Sequence, residues 1–141
     1  MEKIKMIKTC DLLPERVFKP DNVQLFLYNA VLFNAHRIHF DFPYTTEVED
    51  YPGLVLAGPL LGDWLTQTIN EWIGEEGQLK SFEYSNRKAA FVGETLYSGG
   101  SVMSCNEETG EVKLEVYIKN ESNEIITPGL AVVQFETESF N

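Results

Sequence analysis

Several features that mark other classes of protein are scarce in this 141-residue sequence. Its two cysteines, Cys10 and Cys105, stand far apart without a Cys-x-x-Cys spacing, which argues against a disulfide scaffold or a thiolate zinc site. Basic residues are few, because eleven Lys and Arg stand against twenty-two Asp and Glu, a formal net charge of −11. This balance disfavours nucleic acid and anionic membrane surfaces as partners, since both require a basic face.

Long apolar runs and leader features are missing as well. No apolar run approaches the roughly 20 residues needed to span a bilayer. Residues 1–5 lack the apolar stretch and the small-residue cleavage site of a signal peptide. No repeat and no linker rich in Pro, Gly or Ser divides the chain, whose 43% apolar residues suffice for a core. We therefore expect a soluble, cytoplasmic protein with a single domain over residues 1–141.

The first half of the chain carries two helical patterns. A first helix is predicted from Pro20–Asp21 to about Phe33–Asn34, with an apolar stripe of Val23, Phe26, Leu27, Ala30 and Val31. A second is predicted from Pro59 to Ile73 and ended by Gly74, and its wide apolar face indicates that other structure surrounds it. Residues 35–52 between them show no sustained period, and long irregular segments of this kind are usually functional.

The second half changes to a period of two, which is typical of strands. Val112, Leu114, Val116 and Ile118 alternate with polar residues and predict a half-buried strand. Further strand candidates are Gln78–Lys88, Glu94–Met103 and Leu130–Glu136, and we expect bulges or bends at Gly99–Gly100 and Pro128–Gly129. Helices followed by a strand meander predict an α+β fold, with an antiparallel sheet packed around one long helix.

Both histidines of the chain lie in one polar segment, residues 33–41. Asn34, His36, His39 and Asp41 could converge on one cavity, where a histidine could move protons near neutral pH. Two alternatives stay open. The histidines could be loop residues that satisfy backbone groups, or both could join Asp41 in a metal site of two histidines and one carboxylate, for which this spacing is weak evidence.

A second candidate feature is the largely apolar turn from Tyr51 to Leu60, which leads into the second predicted helix. The first N–H groups of a helix have no partner within the helix and can bind an anion or a developing oxyanion. The alternative is a tight turn that serves packing only.

Taken together and in this order, the two segments resemble a known family. "FNAHRIHFD" followed by "YPGLVLAGPL" is similar to the MaoC-like hot-dog hydratases. The resemblance is to the branch of 3-hydroxyacyl-thioester dehydratases and mesaconyl- and itaconyl-CoA hydratases, with its FN-x-HRIH-x-D and YPGL-x-x-HGPL motifs. Downstream, "FEYSNRKAAFVGETL" resembles the branch's RN-x-x-P-x-FVG-x-x-L strand. The resemblance covers the chain from about Asp21 to Leu96.

The resemblance implies a single hot-dog fold, in which an antiparallel sheet wraps a long central helix. It implies reversible addition of water to a 2-enoyl thioester, without a metal or a cofactor. Coenzyme A or phosphopantetheine would enter only as part of the substrate, and an acyl carrier protein could present it. Relatives of this branch often carry two hot-dog units, so a chain with one unit implies a homodimer.

The resemblance also assigns roles residue by residue. His39 falls on the catalytic histidine, and Asn34 falls on the position of the wider family's catalytic aspartate, where this branch also resembles the chain in having Asn. Asn34 would position the water and fix the imidazole, while His39 takes the water's proton. The backbone N–H of Gly58 would stabilise the thioester oxygen. Ala57 replaces the histidine of the HGPL motif, which puts the substrate's identity in question.

Substrate contacts are assigned more broadly, to Arg37, Tyr44, Ala57 and Arg87. Arg37, Arg87 and Lys88 are candidates for the phosphates of the thioester's handle, with solvated surface cations as the alternative. The aromatic candidates for an acyl pocket are Phe33, Phe40, Phe42, Tyr44 and Trp64.

Two other functions compete with hydration. A hot-dog thioesterase would need a carboxylate facing the thioester carbonyl, for which Asp63 is the candidate. A non-catalytic or specialised biosynthetic acyl-thioester-binding module is the other, and Ala57 is its main support.

Overall fold

The computed structural model describes residues 2–137, and their strands form one five-stranded antiparallel sheet. The strands are β1 (Leu12–Phe18), β2 (Gly77–Tyr84), β3 (Leu96–Asn106), β4 (Glu111–Lys119) and β5 (Ile125–Phe135). Their order across the sheet is β1-β3-β4-β5-β2, so β1 and β2 are the edge strands. The predicted α+β class and antiparallel sheet are thereby confirmed.

The long helix α3 (Gly58–Ile73) lies on this sheet and contacts all five strands. One face of α3 buries Leu61, Leu65 and Ile69 at intervals of four residues. The predicted alternation of β4 buries Val112, Leu114, Val116 and Ile118 completely in the same core. Each such side chain contributes roughly 1.5–3 kcal/mol by leaving water. α3 begins one residue before the predicted start and ends, as predicted, at Ile73, where it is followed by Gly74, whose φ of 70° suits glycine.

An irregularity lies at Gly99–Gly100, as predicted, on the side of β1: Leu13 pairs with Gly100 and Arg16 with Ser98, so the register shifts between them. Toward β4, Gly99 and Gly100 pair in continuous register with Tyr117 and Val116, and the register breaks further on, between Val102 and Ser104. Close packing explains the glycines, since a Cβ at Gly99 would lie 2.6 Å from the Tyr117 hydroxyl. Pro128 and Gly129 also pair regularly with β4, so β5 begins at Ile125 and not at Leu130.

Helix α1 (Asn22–Val31) forms where predicted, but its apolar stripe does not face the core. Asp21 caps the helix, because its Oδ1 accepts the Gln24 N–H at 2.8 Å. The buried residues of α1 are Leu25 and Asn29. The stripe residues Val23, Phe26, Leu27 and Val31 are exposed. The periodicity of α1 correctly predicted an apolar face, but it could not predict whether that face packs against the core.

The segment predicted to be irregular contains two short elements. A 3₁₀ turn spans Arg37–His39, and helix α2 spans Phe42–Glu47. Asp41 caps α2, since its Oδ1 accepts the Tyr44 N–H at 3.1 Å. The edge strand β1 was also absent from the sequence prediction. No helix within residues 2–137 combines the length and the apolar character needed to cross a membrane.

Candidate active site

His39 is the buried member of the polar segment, with 7% of its surface exposed. Its ring Nδ1 lies 2.7 Å from the carbonyl oxygen of Val55, and the Val55 N–H donates to the Ile38 carbonyl at 3.0 Å. A carbonyl can only accept a hydrogen bond, so Nδ1 carries the proton of the neutral ring and Nε2 carries the lone pair. Nε2 has no hydrogen-bond partner within residues 2–137. The ring therefore presents a free base, held in place by a fixed backbone.

Asn34 belongs to the same polar segment as His39, but it does not bind the imidazole as the resemblance implied. Its Oδ1 accepts the His36 N–H at 3.1 Å, and its own N–H donates to the Asn29 carbonyl at 2.8 Å. No Asn34–His39 hydrogen bond occurs in the described part of the chain. The side-chain oxygen of Asn34 is occupied by a local turn, in which it accepts the His36 N–H. The imidazole of His39 is held by the Val55 carbonyl instead. The Asn34 side-chain NH₂ remains as a donor.

The triad considered for a metal does not converge. His36 is exposed, and its Nδ1 accepts the Ile38 N–H at 3.3 Å, with its ring centroid 5.8 Å from that of His39. The Asp41 carboxylate accepts from the Arg37 guanidinium at 2.7 and 2.9 Å. Across residues 2–137, no group of three or more His, Cys, Asp or Glu side chains is arranged to hold a metal ion.

The start of α3 leaves one backbone donor open. Ala57 is the N-cap residue, only 1% exposed, and its side chain makes no capping hydrogen bond. Pro59 has no N–H, and the Leu60 N–H donates to the Ala57 carbonyl at 3.0 Å. The Gly58 N–H therefore remains without an acceptor in the described chain, at the positive end of the helix dipole.

The acceptor that holds the base and this donor lie on one backbone segment. Val55 binds the His39 ring, and Gly58 follows three residues later, which limits the distance between their Cα atoms to about 10 Å. The structure thus brings His39, Ala57 and Gly58 to one region, as the sequence predicted.

Arg37 and Tyr44 form a cluster of their own at the start of α2. The Arg37 guanidinium lies 4.2 Å from the centre of the Tyr44 ring and binds Asp41, whose pKa it lowers. The Tyr44 hydroxyl donates to Glu49 at 2.7 Å, which raises the pKa of Tyr44. The charge of Arg37 is therefore already matched within the chain.

The other predicted contacts are dispersed. Arg87 lines a cavity of about 550 Å³ together with Glu83 and Glu115, and this cavity includes none of the predicted catalytic residues. Lys88 pairs with Glu124 at 2.7 Å. Trp64 is buried and stacks on Phe18 at 4.4 Å, so it belongs to the core and not to an acyl pocket. Phe33, Phe40 and Phe42 are exposed, Phe33 by 94%.

Asn86 was overlooked in the sequence, although it stands beside Arg87 in the third quoted motif. Its Nδ2 lies 2.5 Å from the position that a Cβ on Gly58 would occupy. Its Oδ1 accepts the Thr127 hydroxyl at 2.9 Å. Candidates for binding the substrate's phosphates are recognised in a sequence by their positive charge, which arginine and lysine have and asparagine lacks.

Comparison with known proteins identifies the family. The family model of hydroxyacyl-thioester dehydratase type 2 matches residues 3–92. The chain belongs to this family. It is 35% identical over 100 residues to the mitochondrial hydroxyacyl-thioester dehydratase type 2 of Schizosaccharomyces pombe, a match over 70% of this chain and 31% of that protein. It is 54% identical over 46 residues to mesaconyl-C(4)-CoA hydratase of Chloroflexus aurantiacus, over 33% of this chain and 16% of that protein.

The fold comparison agrees. A solved MaoC-like dehydratase superposes with a TM-score of 0.87 at 20% identity, over 96% of this chain and 42% of that one. The hot-dog fold implied by the sequence resemblance is thereby confirmed. The matched segments span less than a third of the length of each of the two curated relatives.

Proposed function

We propose that this member of the dehydratase family catalyses the reversible addition of water to a 2-enoyl thioester, giving a 3-hydroxyacyl thioester. The observation that carries the proposal is that the His39 ring, with a free Nε2, binds the Val55 carbonyl, three residues before the open Gly58 N–H. The first supplies a base and the second a donor for an oxyanion, which are the two groups that this reaction requires.

The steps follow from these two groups. His39 Nε2 accepts a proton from a water molecule as the water oxygen bonds to C3 of the substrate. The electron pair of the C2–C3 double bond moves toward the carbonyl, and the enolate oxygen accepts from the Gly58 N–H. The proton held by the imidazolium then reaches C2, which completes the addition of H and OH. Dehydration follows the same steps in reverse. No metal or cofactor takes part in the proposed reaction.

The competing functions have less support from the site. The Asp63 carboxylate, which a thioesterase would use, is exposed and accepts the Tyr28 hydroxyl at 2.6 Å. Together with burial, this contact raises the pKa of Tyr28. A binding module would retain Ala57 at the helix start without needing a base such as the His39 ring.

One assay separates the three functions. The conjugated absorbance of an enoyl-CoA is followed together with the release of free thiol. Loss of conjugation without thiol release is expected. Release of thiol would indicate a thioesterase, and an unchanged substrate that nevertheless binds would indicate the binding module.

The Asn34 side chain provides a graded test of water positioning. Asn34→Leu removes the NH₂ donor and the turn acceptor, and we expect it to be nearly inactive. Asn34→Asp keeps the acceptor for the His36 N–H and should retain partial activity. Its negative charge would stabilise a cation formed in the site, so we expect the rate optimum to move to higher pH. The rate is measured from pH 5 to 9, and equal activity of the Leu variant and wild type would exclude the role.

The proposed assembly is a homodimer with joined sheets and an active site close to the subunit boundary. The exposed apolar stripe of α1 supports it. Of the two edge strands, β1 carries Pro14 and β2 has no proline, so β2 is better suited to pair. This edge would bring the second copy to the end of β2 and the adjoining Asn86.

Light scattering at micromolar concentration measures the assembly. We expect twice the mass of the chain, and a monomer with full activity would contradict the dimer.

The thioester's handle and the location are also proposals. The net charge of −11 would repel an acidic carrier protein, which favours coenzyme A, although an acyl carrier protein stays an alternative. Arg37, Tyr44, Ala57 and Arg87 keep their proposed substrate contacts, and the cytoplasmic location stays a prediction.

A further inference from the structure

We propose that Asn86 donates a second hydrogen bond, from its side-chain NH₂, to the thioester carbonyl oxygen held by the Gly58 N–H. This inference rests on the proposed hydration. It adds to the site a residue from the loop after β2. Asn86 follows α3 in the sequence, whereas His39 precedes it.

The Asn86 amide contacts the sheet through its oxygen. Its Oδ1 accepts the hydroxyl of Thr127 at 2.9 Å, and Thr127 lies fully buried in β5. The Thr127 hydroxyl, a group that can both donate and accept, donates to the amide oxygen in this structure, so the NH₂ group is turned the other way. The side chain thus has a defined donor end.

The donor end lies over Gly58. Nδ2 is 2.5 Å from the position of a Cβ on Gly58, a space that glycine alone leaves open. Asn86 is exposed, and its Nδ2 has no hydrogen-bond acceptor within residues 2–137. The amide donor is therefore accessible to a ligand.

One oxygen can accept from both nitrogens. The backbone nitrogen of any residue lies about 2.5 Å from its own Cβ position, given a 1.46 Å N–Cα bond and tetrahedral geometry. With Nδ2 2.5 Å from that position, the two donor nitrogens are at most about 5 Å apart. An oxygen bonded to each at about 2.9 Å tolerates a separation of up to about 5.8 Å.

The Asn86 donor adds to the single backbone donor, the Gly58 N–H, that the start of α3 provides. Pro59 supplies no N–H, and the Leu60 N–H is already bonded, so the helix start alone offers a single backbone donor. Oxyanion sites are most effective when several fixed donors converge on the oxygen. Asn86 supplies one from a different element.

The decisive variant is Asn86→Asp, which keeps the acceptor for Thr127 and removes the NH₂ donor. We expect kcat for enoyl-CoA hydration to fall by about 10²-fold or more, with KM changed far less. Gln67→Glu, on the exposed face of α3, adds the same charge away from the site and should retain wild-type kcat. A loss of kcat in Asn86→Asp no greater than that in the control would overturn the proposal.

A double-mutant cycle tests the contact with Gly58. The methyl group of Gly58→Ala would enter the space of Nδ2 and displace the amide, so it should lower kcat in the wild-type background. In an Asn86→Ala background, the amide is already gone and the same change should cost much less. Equal costs in the two backgrounds would show that the amide plays no part.

A readout without turnover separates this inference from the proposed function. The carbonyl stretching band of a bound, ¹³C-labelled saturated acyl-CoA should lie at lower frequency in wild type than in Asn86→Asp, because hydrogen bonds weaken the C=O bond. If wild type binds this thioester but does not hydrate the enoyl form, the proposed function fails while the band still decides on Asn86. An identical band in both proteins, or no binding by wild type, would overturn the role of Asn86.

Discussion

Replacing His39 with alanine should lower the rate of enoyl-thioester hydration by roughly 10²–10⁴-fold, the range that a positioned general base contributes. The reason is the ring's geometry: Val55 holds the proton on Nδ1, so Nε2 is the atom that can take one from water. Steady-state kinetics with an enoyl-CoA that wild type hydrates provides the measurement.

Loss of folding is separated from loss of the base by a matched variant. His39→Asn places an amide NH₂ near the position of Nδ1, where it can still donate to the Val55 carbonyl, and it has no basic nitrogen. We expect it to be as inactive as the alanine variant and to unfold close to wild type. The alanine variant loses the hydrogen bond and about 0.5–1.5 kcal/mol of stability.

His36→Ala serves as the second control. Its ring is exposed and accepts only a local backbone N–H, so the rate should change little. Turnover at the wild-type rate in His39→Asn would refute the mechanism and favour the binding module.

Sequence patterns predicted the parts of this fold whose burial is decided locally. β4 and α3 carry complete periods, and Gly74 and Pro59 mark the boundaries of α3 with backbone chemistry of their own. The stripe of α1 has an equally clear period, yet it is exposed. A period shows that a face is apolar, and it does not show which surface, if any, packs against that face.

The site divides in the same way. The sequence could name His39 and Gly58 as candidates because the family motifs include them and because a histidine side chain and a helix start have recognisable chemistry. The Val55 carbonyl that orients the ring could not be found, since every residue has such a carbonyl and only the tertiary fold selects one. Asn86 meets Gly58 for the same reason, through a contact between residues that are distant in sequence.

Replacing Gly58 with proline should raise the barrier to hydration by about 2–4 kcal/mol, because it removes the open N–H at the start of α3. The local backbone accepts the change. Ala57 has φ −68° and ψ 131°, a conformation that residues before proline favour, and the first helical position suits proline. The fold should therefore survive, as circular dichroism and thermal unfolding can verify.

The effect of losing the N–H must be distinguished from the steric effect of the Cβ, which any residue other than glycine would place against Asn86. Gly58→Ala adds that bulk and keeps the N–H, and it shares with Gly58→Pro the strain of a Cβ before Pro59. The ratio of kcat between the alanine and proline variants therefore reports the replacement of the N–H by the ring carbon of proline, and we expect roughly 10²–10³. Two folded variants with the same kcat would mean that the thioester oxygen does not bind this N–H, and the oxyanion would then have to be held by other donors.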